Sequence, residues 1–290
     1  MKKVIVIVGP TASGKTGLSI QIAKHLSTDI INGDSVQVYK GLDIGSAKIK
    51  SHEMMGITHH LLDVVSPNEQ YSVFQFQHDV RKLIDQIKIP LIVGGTGLYI
   101  KAALYNYEFV EQKRNDELEK ELELMSNEVL YEKLIELDPD IEIDQHNRRR
   151  LTRAYEQALL GYPRSEKNKK NECLYDPLII YLDLQKDMLE KRLIERLESQ
   201  IKDGFIEEVK HLLDNDIHVN AIGYREIEKY LNNELTLEEA KQEIIRVSKK
   251  LAKKQKTWFK NQMNPTILDA LSPTLQEDVK RMVDSFIKGE

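Results

Sequence analysis

The strongest chemical signal in the chain is eight residues long: Gly9-Pro10-Thr11-Ala12-Ser13-Gly14-Lys15-Thr16 fits the pattern G-x-x-x-x-G-K-[ST] at every fixed position. Glycines let such a loop curl with its N–H groups inward, and the helix that follows adds about half a positive charge at its N-terminus. A diphosphate suits that cradle, with Lys15 as counter-charge and the Thr16 hydroxyl as a magnesium ligand. Two further candidates lie downstream. Asp34 closes the apolar stretch Ile30-Ile31-Asn32-Gly33. Gly94-Gly95-Thr96-Gly97 has glycines that admit a ligand close to the backbone, and Thr96 brings a hydroxyl to that approach.

These residues alone leave two chemistries open. A phosphotransferase that holds ATP in this cradle also needs an apolar strand ending in an acid that orients magnesium. The stretch Leu91-Ile92-Val93 runs into glycine instead, so the nearest strand-end acid is Asp34. Asp34 then reads either as a general base or as a carboxylate that organises the loop and its metal. A small-molecule or nucleotide kinase remains open, and a noncatalytic nucleotide switch or RNA-binding module is the weaker competitor, since neither explains an acid and a Thr-bearing glycine loop around one diphosphate site. His59-His60 has no third ligand at metal spacing, which favours packing and backbone hydrogen bonding over a metal site.

The elements that must position these groups are legible from periodicity. Val4 to Val8 is an apolar, β-branched run ended by Gly9-Pro10, the pattern of a central strand buried on both faces. Leu18, Ile22, Ala23 and Leu26 recur at helical spacing; Asp29 to Asn32, Pro90 to Val93 and Leu178 to Leu182 read as further strands. Carboxyl ends of neighbouring parallel strands share one edge, so loops 9–16, 34–39 and 94–99 should converge on one crevice. The fold class expected is α/β: a P-loop core with a central parallel sheet and helices on both faces, plus a small helical insertion domain.

The insertion shows as a charge shift, because Glu108 to Asp144 holds 14 acidic and 4 basic residues while the whole 290-residue chain is only at −5. Leu118, Leu122, Met125, Val129, Leu130, Leu134 and Leu137 keep a helical period there. The expected division is 1–110 core, 111–145 insertion, 146–290 core with a C-terminal basic helix, and Tyr162 to Glu172 reads as a basic loop. With 41% apolar and 31% charged residues the chain is globular rather than disordered. One cysteine, Cys173, excludes an internal disulfide and a multi-thiolate zinc site. The apolar run at Val4 is too short for a signal peptide or membrane span, so the cytoplasm is expected, with a monomer as the default.

Net charge does not announce a nucleic-acid binder, but clustered charge is what phosphates answer to. Arg148, Arg149, Arg150 and Arg153 lie within six residues, and Arg246 to Lys260 holds seven basic residues and no acid. On a helix from about Thr236, Leu237, Ala240, Ile244, Val247 and Leu251 form one stripe, and Lys249, Lys253, Lys256 and Lys260 form another nearly opposite. By itself a lysine stripe is usually a solvated face, and Trp258-Phe259 at its end suits a core role.

Taken together the P-loop, Asp34-Ser35-Val36-Gln37-Val38-Tyr39, Asp43-Ile44-Gly45-Ser46-Ala47-Lys48 and Gly94-Gly95-Thr96-Gly97-Leu98-Tyr99 resemble the tRNA dimethylallyltransferase (tRNA isopentenyltransferase) family. Further similarity lies in His59-His60-Leu61, Tyr71-Ser72-Val73 with Phe76, Arg149-Arg150-Leu151-Thr152-Arg153-Ala154, Ala221-Ile222-Gly223-Tyr224-Arg225-Glu226, and Ala252-Lys253-Lys254-Gln255 leading to Thr257-Trp258-Phe259. The resemblance spans nearly the whole chain. It implies transfer of a dimethylallyl group from dimethylallyl diphosphate to the N6 amine of an adenosine beside the tRNA anticodon, with Mg2+ as cofactor. It implies that Gly9 to Thr16 hold the diphosphate rather than ATP, that Asp34 is the base, and that Thr96 and Lys15 assist. For tRNA it implies Asp34, Ser35, Val36 and Gln37, the Arg149–Arg153 stretch, Gly223, Tyr224 and Arg225, and the four lysines of the stripe. Gln37 would offer both a donor and an acceptor to a flipped adenine edge.

Overall fold

The computed structural model describes residues 1–107, 109, 116–165 and 172–290. Contacts divide the chain into two compact units, Met1–Leu104 with Leu174–Glu290, and Tyr105–Cys173.

The first unit is built on a six-stranded sheet in the order β3-β2-β4-β1-β5-β6, every pairing parallel. The strands are β1 (Lys3–Val8), β2 (Ile30–Asn32), β3 (His59–His60), β4 (Leu91–Gly94), β5 (Asp176–Asp183) and β6 (Thr266–Asp269). β1 lies inside the sheet between β4 and β5, and Val4 to Val8 are fully buried. That is why the run has no polar alternation: helices cover both sides. Ile5 and Ile7 pack with Ile180 and Leu182 against α1 (Lys15–Leu26) and α11 (Leu275–Lys288), through Leu18, Ile22, Val279 and Val283. Tyr181, pointing the other way from its neighbours on β5, meets Phe259 of α10 (Leu237–Met263) at 5.9 Å. Each such side chain withdrawn from water contributes about 1.5–3 kcal/mol.

β3 and β6 are the strands not anticipated from the sequence. His59-His60 is a two-residue edge strand, with His59 Nδ1 3.0 Å from the Ile57 carbonyl and His60 Nε2 2.9 Å from Asp29. It therefore pairs and packs, as two histidines without a third ligand should.

A helical cluster completes this unit. α7 (Lys186–Lys202), α8 (Phe205–Leu213), α9 (Tyr224–Leu231) and α10 bury Leu197, Phe205, Val209, Tyr224, Ile227 and Ile244 together. α10 begins with a full capping box, the Thr236 side chain accepting from the Glu239 amide and Glu239 from the Thr236 amide. α2 (Val73–Gln86) and α3 (Gly97–Leu104) pack against one another.

The second unit is wider than the expected insertion at 111–145. It joins α4 (Asp116–Leu124), α5 (Asn127–Leu137) and α6 (Arg148–Leu159). α6, expected in the core after 146, packs here because Leu151, Ala154, Tyr155 and Ala158 share one cluster with Leu130 and Leu134. The apolar period read through 118–137 breaks at Ser126, which caps α5 by accepting from the Val129 amide. The helix restarts with a new phase, so Val129 and Leu137 are left 42% exposed. Residues 166–171 of the basic loop at 162–172 lie outside the described residues, as do 110–115 of the acidic stretch.

Candidate active site

The three loops expected to converge do meet. Val8 pairs with Gly94 and Asn32 with Val93 across the sheet, so their C-terminal loops leave from one edge. The glycine at 94 is obligatory, since an added Cβ would overlap the backbone of Gly33. Thr96 then ties two loops together: its Oγ1 accepts from the Ser35 amide at 3.1 Å and lies 3.2 Å from Ser35 Oγ.

In the phosphate loop Gly14 takes φ +85° at the N-terminus of α1, and neither a side-chain cap nor an acid in the first turn competes for the helix amides. Ala12 adopts φ +66° without being glycine, and its carbonyl accepts from Arg192 at 3.2 Å. Lys15 Nζ donates to the Pro10 carbonyl at 2.7 Å. Burial, then the cation of Arg196, push its pKa down to about 8, and Asp34 opposes them. Ser13 Oγ is buried with no hydrogen-bond partner among the described residues, and Thr16 is exposed at the mouth of the loop. An anion or a hard cation inside the loop would satisfy an orphaned hydroxyl of that kind.

Asp34 is held in an Asx turn. Its Oδ1 accepts from the Val36 amide at 2.9 Å, and Asn32 brackets its backbone through bonds of 3.0 and 3.1 Å. Oδ2 carries no hydrogen bond among the described residues, so one oxygen orients the carboxylate and the other is left to act. The Gln37 amide is committed differently from the expectation, because Nε2 donates to the Ser46 carbonyl at 3.1 Å and the Ala47 carbonyl at 3.4 Å. Only its Oε1 is left to meet a base edge.

Beside these groups opens a cavity of about 310 Å³. Thr11, Asp34 and Arg196 line its polar side, and Leu189, Leu193, Phe205 and Leu251 contribute to its apolar wall. Arg196 was missed from the sequence. On α7 it stands between Leu193 and Leu197 of the buried stripe Leu189-Leu193-Leu197, and a cation at the margin of an apolar seam was the available signal. Burial lowers its pKa, and Asp34 counters that. Gln255 of α10 also reaches in, donating to the Gly95 carbonyl at 2.8 Å, while the Trp258 ring packs where a Gly97 Cβ would stand.

Several residues expected to meet RNA are engaged otherwise. Tyr224 is buried, its phenol donating to Glu208 at 2.7 Å and its ring set edge-on to Phe205. Gly223 takes φ +94° to start α9, and Arg225 alone of that trio is exposed. In the second unit Leu151 is core and the Thr152 hydroxyl donates to the Arg148 carbonyl, whereas Arg149, Arg150 and Arg153 are exposed, the last paired with Glu156 at 2.8 Å. The lysine stripe is only half free: Lys249 pairs with Glu190 and Lys256 with Asp183, both at 2.6 Å, and Lys253 and Lys260 are exposed. On the opposite stripe Leu251 is 40% exposed and lines the cavity, and the buried face of α10 continues through Ala252, Phe259 and Met263.

The family model described as IPP transferase matches residues 37–262. The chain is 53% identical to a tRNA dimethylallyltransferase of Acholeplasma laidlawii, over 99% of both chains. It is 47% identical to one of Onion yellows phytoplasma over the full length of both. Among solved structures, a tRNA delta(2)-isopentenylpyrophosphate transferase of Staphylococcus epidermidis is 35% identical with a TM-score of 0.75, each chain fully covered. A eukaryotic dimethylallyltransferase acting on tRNA is 28% identical with a TM-score of 0.87, covering all of this chain and 80% of that one. Similarity of this extent leaves one assignment: the chain belongs to the tRNA dimethylallyltransferase family.

Proposed function

We propose that the protein transfers the dimethylallyl group of dimethylallyl diphosphate to the N6 amine of an adenosine adjacent to the tRNA anticodon, releasing diphosphate. The observation that carries this reading is the cavity, where the Arg196 cation, Thr11 of the phosphate loop, the Asp34 carboxylate and an apolar wall meet. A kinase acting on a small polar alcohol has no use for that wall.

In the reaction the carbon–oxygen bond to diphosphate breaks, a carbon–nitrogen bond to N6 forms, and the amine loses a proton. Adenine N6 is a weak nucleophile because its lone pair is delocalised into the ring, so help is needed at both ends. At one end the uncapped amides at the N-terminus of α1, Lys15 and Arg196 take up the charge that builds on the leaving diphosphate; donors fixed in advance in this way are often the largest single contribution to catalysis. At the other end Asp34 Oδ2 accepts the N6 proton, its carboxylate aimed by the Val36 amide. Thr96 acts through Ser35, holding the strand end that presents Asp34. Thr16, with the orphaned Ser13 hydroxyl beside it, offers oxygen donors suited to Mg2+, which when bound would supply further charge neutralisation at the diphosphate.

For tRNA the exposed cations are Arg149, Arg150 and Arg153 on α6, with Arg225, Lys253 and Lys260 on the first unit. The reading includes a monomer working in the cytoplasm. No helix among the described residues is long and apolar enough to cross a membrane. Incubation with labelled dimethylallyl diphosphate or labelled ATP, with and without tRNA, tests it: label should pass from the allyl donor to tRNA alone, and ATP turnover independent of tRNA would overturn it.

A further inference from the structure

The turn Asp43-Ile44-Gly45-Ser46 is gripped from outside on both its donors and its acceptors. One carboxylate, Glu208 on α8, collects three consecutive backbone N–H groups: Oε2 accepts from Asp43 at 3.0 Å and Ile44 at 2.7 Å, and Oε1 from Gly45 at 3.0 Å. Oε1 also accepts from the Tyr224 phenol. From α7 the Gln200 amide donates to the carbonyls of Ile44 at 2.5 Å and Gly45 at 3.0 Å. Gly45 leaves no slack, since a Cβ there would overlap the rings of Phe205 and Tyr224.

Gly45 and Ser46 of this turn line the cavity, and the Ser46 carbonyl is a shared acceptor. Arg196 Nη2 donates to it at 3.4 Å and Gln37 Nε2 at 3.1 Å. One acceptor thus holds both the cation of α7 and the loop that begins at Asp34. Hydrogen bonds to an ionised acceptor are roughly twice as strong as neutral ones, and three consecutive amides on one carboxylate fix a turn far more tightly than solvent would.

We propose that Glu208, assisted by Gln200, is a positioning residue for the transfer reaction: by locking the 43–46 turn it fixes the Ser46 carbonyl, which in turn aims the Arg196 guanidinium and the Gln37 amide. The inference rests on the prenyl-transfer reading. It assigns Glu208 no contact with substrate.

A double-mutant cycle tests it, with kcat and KM for dimethylallyl diphosphate expressed per titrated active site so that an unfolded fraction drops out. Glu208→Gln should lower kcat/KM at least tenfold, because an amide cannot accept from all four donors. Arg196→Lys should lower it through the shorter, single-point cation. If Glu208 acts through Arg196, the double variant should be close to Arg196→Lys alone. Gln200→Leu, which releases the same turn from its carbonyl side, should show the same non-additivity and serves where Glu208→Gln folds poorly. Losses that multiply in the double variants, or a parental kcat/KM in Glu208→Gln, would overturn the positioning role. A parent protein that passes no allyl label to tRNA would instead defeat the function on which it rests.

Discussion

Lys15 makes a prediction in which proton and ligand are tied together. Its ammonium is half-buried, and desolvation with the cation of Arg196 close by pushes its pKa down to about 8. Below that pH the loop already carries the charge a diphosphate needs. Above it the lysine is neutral, and binding must draw a proton from solvent, because a bound anion raises the lysine pKa. Affinity for dimethylallyl diphosphate should then fall about tenfold per pH unit above 8, or about thirtyfold by pH 9.5, equivalent to about 2 kcal/mol. Calorimetric titration from pH 7 to 9.5, in two buffers of different ionisation enthalpy, reads both quantities: the affinity slope and an uptake approaching one proton per ligand. Lys15→Ala should bind weakly with a flat profile and no uptake. The same depressed pKa costs the folded state while the lysine is charged, and that cost fades as pH rises from 8 towards the unfolded value of 10.5. Ligand-free Lys15→Ala should therefore melt no lower than the parent at pH 7. Parental affinity independent of pH across this range would refute the placement of the Lys15 charge at the diphosphate.

Asp34→Ala should lower kcat by about 10²–10⁴ while leaving diphosphate affinity near the parental value, measured by single-turnover transfer and by titration; lost affinity restored by excess magnesium would make the carboxylate a metal organiser instead. Lys253→Gln with Lys260→Gln should weaken tRNA binding and reduce the slope of log affinity against log salt by somewhat less than two, whereas Lys256→Gln, already paired with Asp183, should change the slope little. Gly45→Ala should lower both melting temperature and kcat/KM, because its Cβ displaces the Phe205 and Tyr224 rings from the wall they share with the turn; a parental melting curve would contradict that packing.

The sequence by itself determined what is local. The phosphate loop, its strand and its helix are contiguous, so the pattern from Val4 to Leu26 carries the cradle whole. The edge shared by Val8, Asn32 and Gly94 was equally legible, because parallel strands admit only one arrangement of their carboxyl ends. Resemblance then supplied the chemistry that a phosphate loop and one acid leave open. Tertiary structure decided whatever depends on distant partners. Arg196 belongs to the site because α7 folds back beside Lys15; its place at the margin of the apolar seam marks it as a cation near buried surface, but what it meets there depends on the distant phosphate loop. Tyr224 has the look of a residue that touches a ligand, and its phenol is spent on Glu208. Four lysines at one spacing divide into two that are paired and two that are exposed without an ion pair among the described residues, according to whether Glu190 or Asp183 lies opposite. The bounds of the second unit moved for the same reason: helical periodicity says that a face is apolar, and only the packed partner says which helix covers it.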